Sequence, residues 1–138
     1  MFKRRSPRHI AAAIVQRPDG RVLLLKRSPH HRTNAGKWSF VTGYVKKGEP
    51  PRVAAVRELR EELGIEGTPT RAGEVVVVEF NGRTLYIYPF LFPVGAIEIR
   101  LEREHTDYTW IEPGEVYDFD TVPQIDEDLI GVGLLPNK

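Results

Sequence analysis

The chain has 138 residues, 41% hydrophobic and 28% charged, with no cysteine and a formal net charge of +1. That length suits one domain around one core, and the composition excludes a disordered chain, a disulfide framework and a thiolate metal site. No apolar run approaches the roughly 20 residues needed to span a bilayer, and Ile10–Val15, which follows basic Lys3, Arg4, Arg5 and Arg8, is too short for a signal peptide, so the chain reads as cytoplasmic with no membrane partner.

Residues 9–16 and 22–27 read as strands joined by a hairpin at Pro18-Asp19-Gly20, where proline presets φ and glycine accepts positive φ. Residues 28–37 have loop composition, and Trp38–Thr42 reads as a short strand leading into Gly43. A helix starts near Pro50 or Pro51, because proline is tolerated in a first turn, and stops at Gly64 as a left-handed cap. Val75–Phe80 and Leu85–Val94 follow as strands joined by Asn81-Gly82, a strong hairpin signal. Thr109–Ile111 makes a short strand, an acidic proline-interrupted segment follows Pro113-Gly114, and Ile125–Val132 makes a second helix. No repeat or linker interrupts the pattern, so residues 1–138 form a single domain of α/β (α+β) class.

The helix carries the chemistry. At about 100° per residue, Glu58, Glu61 and Glu62 share one face at i, i+3 and i+4, with Val53, Val56, Leu59 and Leu63 opposite. Like charges at that spacing repel, and carboxylates crowded into a cleft lose hydration expensively. A divalent cation removes the conflict, and hard oxygen donors suit Mg²⁺ or Mn²⁺ better than zinc. Such a face is otherwise only a solvated acidic stripe, but its neighbours decide between the two. Gly43, Glu49, Arg57, Glu58, Glu61, Glu62 and Gly64, with apolar Leu59 and Ile65, stand in fixed register over 23 residues. At average residue frequencies that match arises in roughly one in ten million chains or fewer.

The segment resembles the signature of the Nudix hydrolases, G-x5-E-x7-R-E-apolar-x-E-E-x-G-apolar, at every constrained position. The resemblance implies the Nudix fold, a mixed β-sheet sandwiched between α-helices. It implies metal ligation by Glu58, Glu61, Glu62 and the Gly43 carbonyl, with Mg²⁺ as cofactor. It also implies that Arg57 orients a motif glutamate, with Glu49 in a supporting role near the helix start. Pro50 departs from the Ser or Thr common after the motif's first glutamate, which puts the usual N-terminal capping in doubt. Many members need a further carboxylate outside the box as base or extra ligand. Glu104 is the candidate, with Glu98 and Glu102 as rivals. Its segment, E-H-x-x-Y-x-W from Glu104 to Trp110, resembles that of Nudix enzymes acting on pterin triphosphates and dinucleoside polyphosphates. His105 in that segment could shuttle protons or be merely hydrogen-bonded, and Trp110 reads as core. The V-T-G ending at Gly43 resembles pterin triphosphate and deoxynucleotide pyrophosphohydrolases.

The small net charge hides an asymmetry: residues 1–69 hold 15 Lys/Arg against 6 Asp/Glu, and residues 70–138 hold 5 against 13. Basic groups near the acidic cluster could bind a polyphosphate. Arg27, Arg32, Lys37 and Lys46 are the candidates, and mutual attraction of the two halves is the competing explanation. The expected function is Mg²⁺-dependent hydrolysis of a nucleoside diphosphate linked to another moiety, with Glu61 or Glu104 as general base. A (deoxy)nucleoside or pterin triphosphate or a dinucleoside polyphosphate leads as substrate. The alternatives are an ADP-ribose-type sugar nucleotide and a non-catalytic nucleotide-sensing domain. Nucleic-acid binding through the arm Lys3–Arg8 is a weaker alternative, and a homodimer stays open.

Overall fold

The computed structural model describes residues 5–31, 33–102 and 104–138. Lys3, Arg4 and Arg32 therefore lie outside the described residues. β1 (Arg8–Gln16) and β2 (Val22–Arg27) form the expected hairpin, closed by Gly20 N–H donating to the Arg17 carbonyl at 3.0 Å. The next strand is split at Phe40 into β3 (Trp38–Ser39) and β4 (Val41–Tyr44). The split has a topological purpose. β3 pairs with β2 while β4 pairs with β1, so the chain wedges between two strands that stay hydrogen-bonded only near their hairpin.

Helix α1 (Pro51–Leu63) begins and ends where its punctuation predicts. Gly64 takes φ 67°, and its N–H donates to the Arg60 carbonyl at 2.8 Å, which terminates the helix in the left-handed region. No side chain caps the N-terminus at Pro50; the proline-rich start leaves fewer N–H groups to satisfy.

Beyond the helix, β5 (Arg71–Ala72) and β6 (Val76–Phe80) both pair antiparallel with β7 (Arg83–Pro93). β5 escapes sequence reading because two exposed residues leave no periodicity. β8 (His105–Ile111) is longer than the expected Thr109–Ile111, because its first residues are held by pairing with β2 and not by an apolar pattern. The proline-interrupted segment forms a 3₁₀ turn, Pro113–Asp118, started by a capping box in which Glu112 N–H donates to Glu115 Oε1 at 2.7 Å. Helix α2 (Ile125–Gly131) follows.

The eight strands make one mixed sheet, with β1 parallel to β7 across nine residue pairs at its centre. Ala11–Val15 are buried on both faces, as central strands covered by helices must be. Ala11, Ala13, Val15, Leu25 and Phe92 pack with Leu59 and Leu63 of α1 on one face. Ile14, Leu24 and Leu91 pack with Ile125, Leu129 and Val132 on the other. The sheet is thus sandwiched between helices, as the motif's family resemblance implied. No helix among the described residues is long and apolar enough to cross a membrane.

The inward face of α1 keeps Leu59, Leu63 and, in part, Val56 of the expected apolar face but is rotated away from Val53. Val53 is 48% exposed, and Ala54 and Ala55 take the buried positions beside Leu59 and Leu63. Small residues allow the helix to sit close over Ala11 and Ala13, and that rotation turns Glu62 toward the sheet.

Candidate active site

Ala55 and Glu62 are seven residues apart on α1 and so project within about 20° of each other. Ala55 is fully buried, which aims Glu62 inward instead of into solvent. Its Oε2 is shielded from solvent and has no hydrogen-bond partner among the described residues. Burial, reinforced by Glu58 and Glu104, pushes the Glu62 carboxyl up to about 9. Glu58 is also raised by burial, with Arg57 opposing the shift. Glu61 lies farther round the helix with its side chain 55% exposed.

These three carboxylates line a cleft of about 620 Å³ whose other wall is Glu102, Glu104 and His105. Sequence spacing alone could not place Glu104 there. The pairing of His105 with Arg27 in the β8–β2 ladder does so. Glu102, its rival, lines the same cleft, whereas Glu98 does not. His105 is 8% exposed, and burial followed by the charge of Arg27 lowers its imidazole to about 4, so it stands neutral at pH 7. Trp110 packs against the core on the α1 face, with the Arg17 guanidinium 5.0 Å from its ring centre.

Arg57 organises the glutamates. Its Nε and Nη2 donate to the two Glu49 oxygens, each at 2.9 Å, and Nη2 also donates to the Tyr44 carbonyl at 3.0 Å. Nη1 donates to Glu58 Oε1 at 2.7 Å and to Glu61 Oε2 at 3.2 Å. The Arg57, Glu49 and Glu58 side chains are only 13–15% exposed, so this is a fixed fork and not a surface i,i+4 pair. The hydrogen bonds from Arg57 hold Glu49 down at about 2. Glu49, just before the start of α1, anchors Arg57 through both oxygens and accepts the Lys46 N–H at 3.0 Å.

Gly43 sits under this group. A Cβ added there would overlap the Glu58 carboxylate, so only glycine lets β4 and α1 approach this closely. Among the described residues no three acidic or imidazole groups are already drawn into a ligand cage. Arg57 holds Glu58 and Glu61 toward itself. The donor set nevertheless fits a hard divalent cation: several carboxylates face one cleft, and one buried oxygen has no partner.

The basic candidates separate. Arg27 is 8% exposed and lies beneath the cleft, donating to Ser39 Oγ, the Thr33 carbonyl and Oγ1, and Thr42 Oγ1 at 3.0–3.3 Å. It faces Glu62 and Glu104 electrostatically, but its bonds go to neutral groups. Lys37 is not brought to the cleft, because its Nζ is held by Asp120 at 2.8 Å. Lys46 is exposed on the turn before α1. His31, absent from the sequence reading, approaches Glu104 Oε2 with its Nε2 at 3.9 Å; a histidine in a polar loop gave no signal.

The NUDIX domain family model matches residues 6–130. The chain belongs to the Nudix family. Among its relatives, the CTP pyrophosphohydrolase of Escherichia coli (strain K12) is 38% identical over 119 residues, covering 83% of this chain and 82% of that protein. The nucleoside triphosphatase NudI of Escherichia coli (strain SE11) is 30% identical over 124 residues, covering 82% and 87% respectively. Among solved structures, the MutT protein from Methanosarcina mazei Go1 superposes with a TM-score of 0.77 at 27% identity, covering 93% of this chain and 92% of that one. The protein is a Nudix hydrolase acting on pyrophosphate bonds.

Proposed function

We propose that this Nudix pyrophosphohydrolase is Mg²⁺-dependent and acts on nucleoside or deoxynucleoside triphosphates. The observation that carries the reading is the cleft walled by Glu58, Glu61 and Glu62 on one side and Glu102 and Glu104 on the other. Relatives named for CTP and for nucleoside triphosphates favour a triphosphate over the sugar-nucleotide alternative. Complete retention of the box carboxylates favours an enzyme over a nucleotide sensor.

Glu58, Glu61, Glu62 and the Gly43 carbonyl are the groups that would hold the ion. When bound, a divalent cation supplies positive charge to the diphosphate oxygens and lowers the pKa of water. The chain's own residues do the rest. Arg57 fixes Glu58 and Glu61, and Lys46, exposed on the turn before α1, is the basic candidate left among the described residues to contact the polyphosphate. Glu104 or Glu61 accepts the proton of the attacking water. The water oxygen ends on the attacked phosphorus, the P–O bond of the anhydride breaks, and the departing phosphate group keeps the bridging oxygen. No covalent nucleophile is needed.

The test is a panel of ribonucleotide, deoxynucleotide and pterin triphosphates, dinucleoside polyphosphates and ADP-ribose, assayed with Mg²⁺ for released phosphate and pyrophosphate. Turnover fastest with a nucleoside triphosphate supports the proposal. Turnover confined to ADP-ribose, or none at all, refutes it.

A further inference from the structure

Glu104 is set on the cleft by its backbone but is poorly held by its side chain. Its carbonyl accepts the Ser28 N–H at 2.8 Å, while its carboxylate is 68% exposed. Among the described residues, the side chain within ion-pair reach of that carboxylate is His31, Nε2 to Oε2 at 3.9 Å. A general base that swings freely spends little time in line with its water, so a partner that fixes it contributes to rate through orientation.

The surroundings of His31 give it a defined role. Its Nδ1 accepts the Thr33 N–H at 3.2 Å. A ring nitrogen that accepts a hydrogen bond carries no proton, so in the neutral imidazole the hydrogen is on Nε2, the atom facing Glu104. The turn that carries His31 is itself closed, with His31 N–H donating to the Ser28 carbonyl at 3.0 Å and His30 N–H to Ser28 Oγ at 3.1 Å. Thr33 is held in turn by buried Arg27, whose Nη1 donates to its carbonyl at 3.0 Å and its hydroxyl at 3.2 Å. Arg27, Thr33, His31 and Glu104 thus form a chain running from the core to the mouth of the cleft.

We propose that His31 is a positioning residue for Glu104: its Nε2–H orients the carboxylate toward the water. Arg27 serves this arrangement by fixing the loop, which accounts for a buried guanidinium engaged with neutral oxygens. The separation of 3.9 Å is longer than a hydrogen bond, and catalytic hydrogen bonds commonly tighten on substrate binding. The inference rests on the reading of Glu104 as base in the proposed function.

The experiment measures kcat and KM with Mg²⁺ for the nucleoside triphosphate turned over fastest in the panel above. The proteins are wild type, His31→Phe, His31→Gln, Glu104→Gln and the His31→Phe/Glu104→Gln double variant. His31→Phe should lower kcat roughly ten-fold with KM within about two-fold. His31→Gln keeps an N–H at the same reach and should recover most of that loss. The double variant should be no slower than Glu104→Gln alone. Loss in Glu104→Gln with His31→Phe unaffected overturns the role of His31 and leaves the base standing. Equal loss in His31→Phe and His31→Gln, or losses that multiply in the double variant, also overturn it. An unaffected Glu104→Gln removes the base reading, and the positioning role falls with it.

Discussion

Replacing Glu62 by glutamine should stabilise the metal-free protein at neutral pH while removing most of its activity. Glu62 is pushed up to about 9 from an ordinary 4.5, mainly by burial. For a raised carboxyl, stability is fully present below the unfolded value and is lost as pH climbs toward the folded one. Over the 2.5 pH units from 4.5 to 7, at 1.36 kcal/mol each, wild type loses about 3 kcal/mol. Glutamine carries no charge but leaves a polar atom in the same unsatisfied place, so about 1–2 kcal/mol should be regained. For a chain of this size that is a rise of roughly 5 °C in Tm. Thermal unfolding in chelator across pH 5 to 9 measures it. The gap between Glu62→Gln and wild type should widen with pH, and added Mg²⁺ should raise the wild-type Tm more than that of the variant. A variant less stable than wild type at pH 8, or an equal response to Mg²⁺, would refute the view of Glu62 as an uncompensated buried ligand.

Gly43→Ala drives a methyl group into the Glu58 carboxylate; kcat should fall by about 10²-fold, with a stability loss of about 1–3 kcal/mol by chemical denaturation. Arg57→Lys keeps the charge but cannot span Glu49, Glu58 and Glu61 at once. Its kcat should drop about 10–100-fold with native circular dichroism, and wild-type kinetics would show that the fork is dispensable.

Much of this architecture was legible because the chain marks its boundaries with residues whose backbone preferences are physical. The Pro18-Asp19-Gly20 and Asn81-Gly82 turns, the Pro51 start and the Gly64 stop of α1 all fall where φ requirements put them. What escaped depends on partners distant in sequence. β5 and the first half of β8 exist through pairing with β7 and β2. Leu59 and Leu63 mark the inward side of α1 correctly, but hydropathy ranks valine above alanine, whereas close packing on β1 favours Ala54 and Ala55 over Val53. That turn of the helix is also what buries Glu62.

Within the site, the box pointed to Arg57 beside a motif glutamate but not to its binding Glu49, Glu58 and Glu61 at once. Proximity along the chain was a poor guide to the basic residues, since Lys37 turns to Asp120 and Arg27 goes beneath the cleft. Glu104 was reachable through its segment's pattern. His31 was not, because its meaning comes from a tautomer set by Thr33 and a carboxylate on another strand.

Hydrolysis of a nucleoside triphosphate in ¹⁸O-enriched water with Mg²⁺, followed by mass spectrometry of the products, bears most directly on the chemistry assigned to the cleft. One labelled oxygen per turnover in a phosphorus-containing product, abolished together with turnover in Glu61→Gln, is the result expected. Product phosphates free of label, or undiminished turnover in Glu61→Gln, would contradict the account.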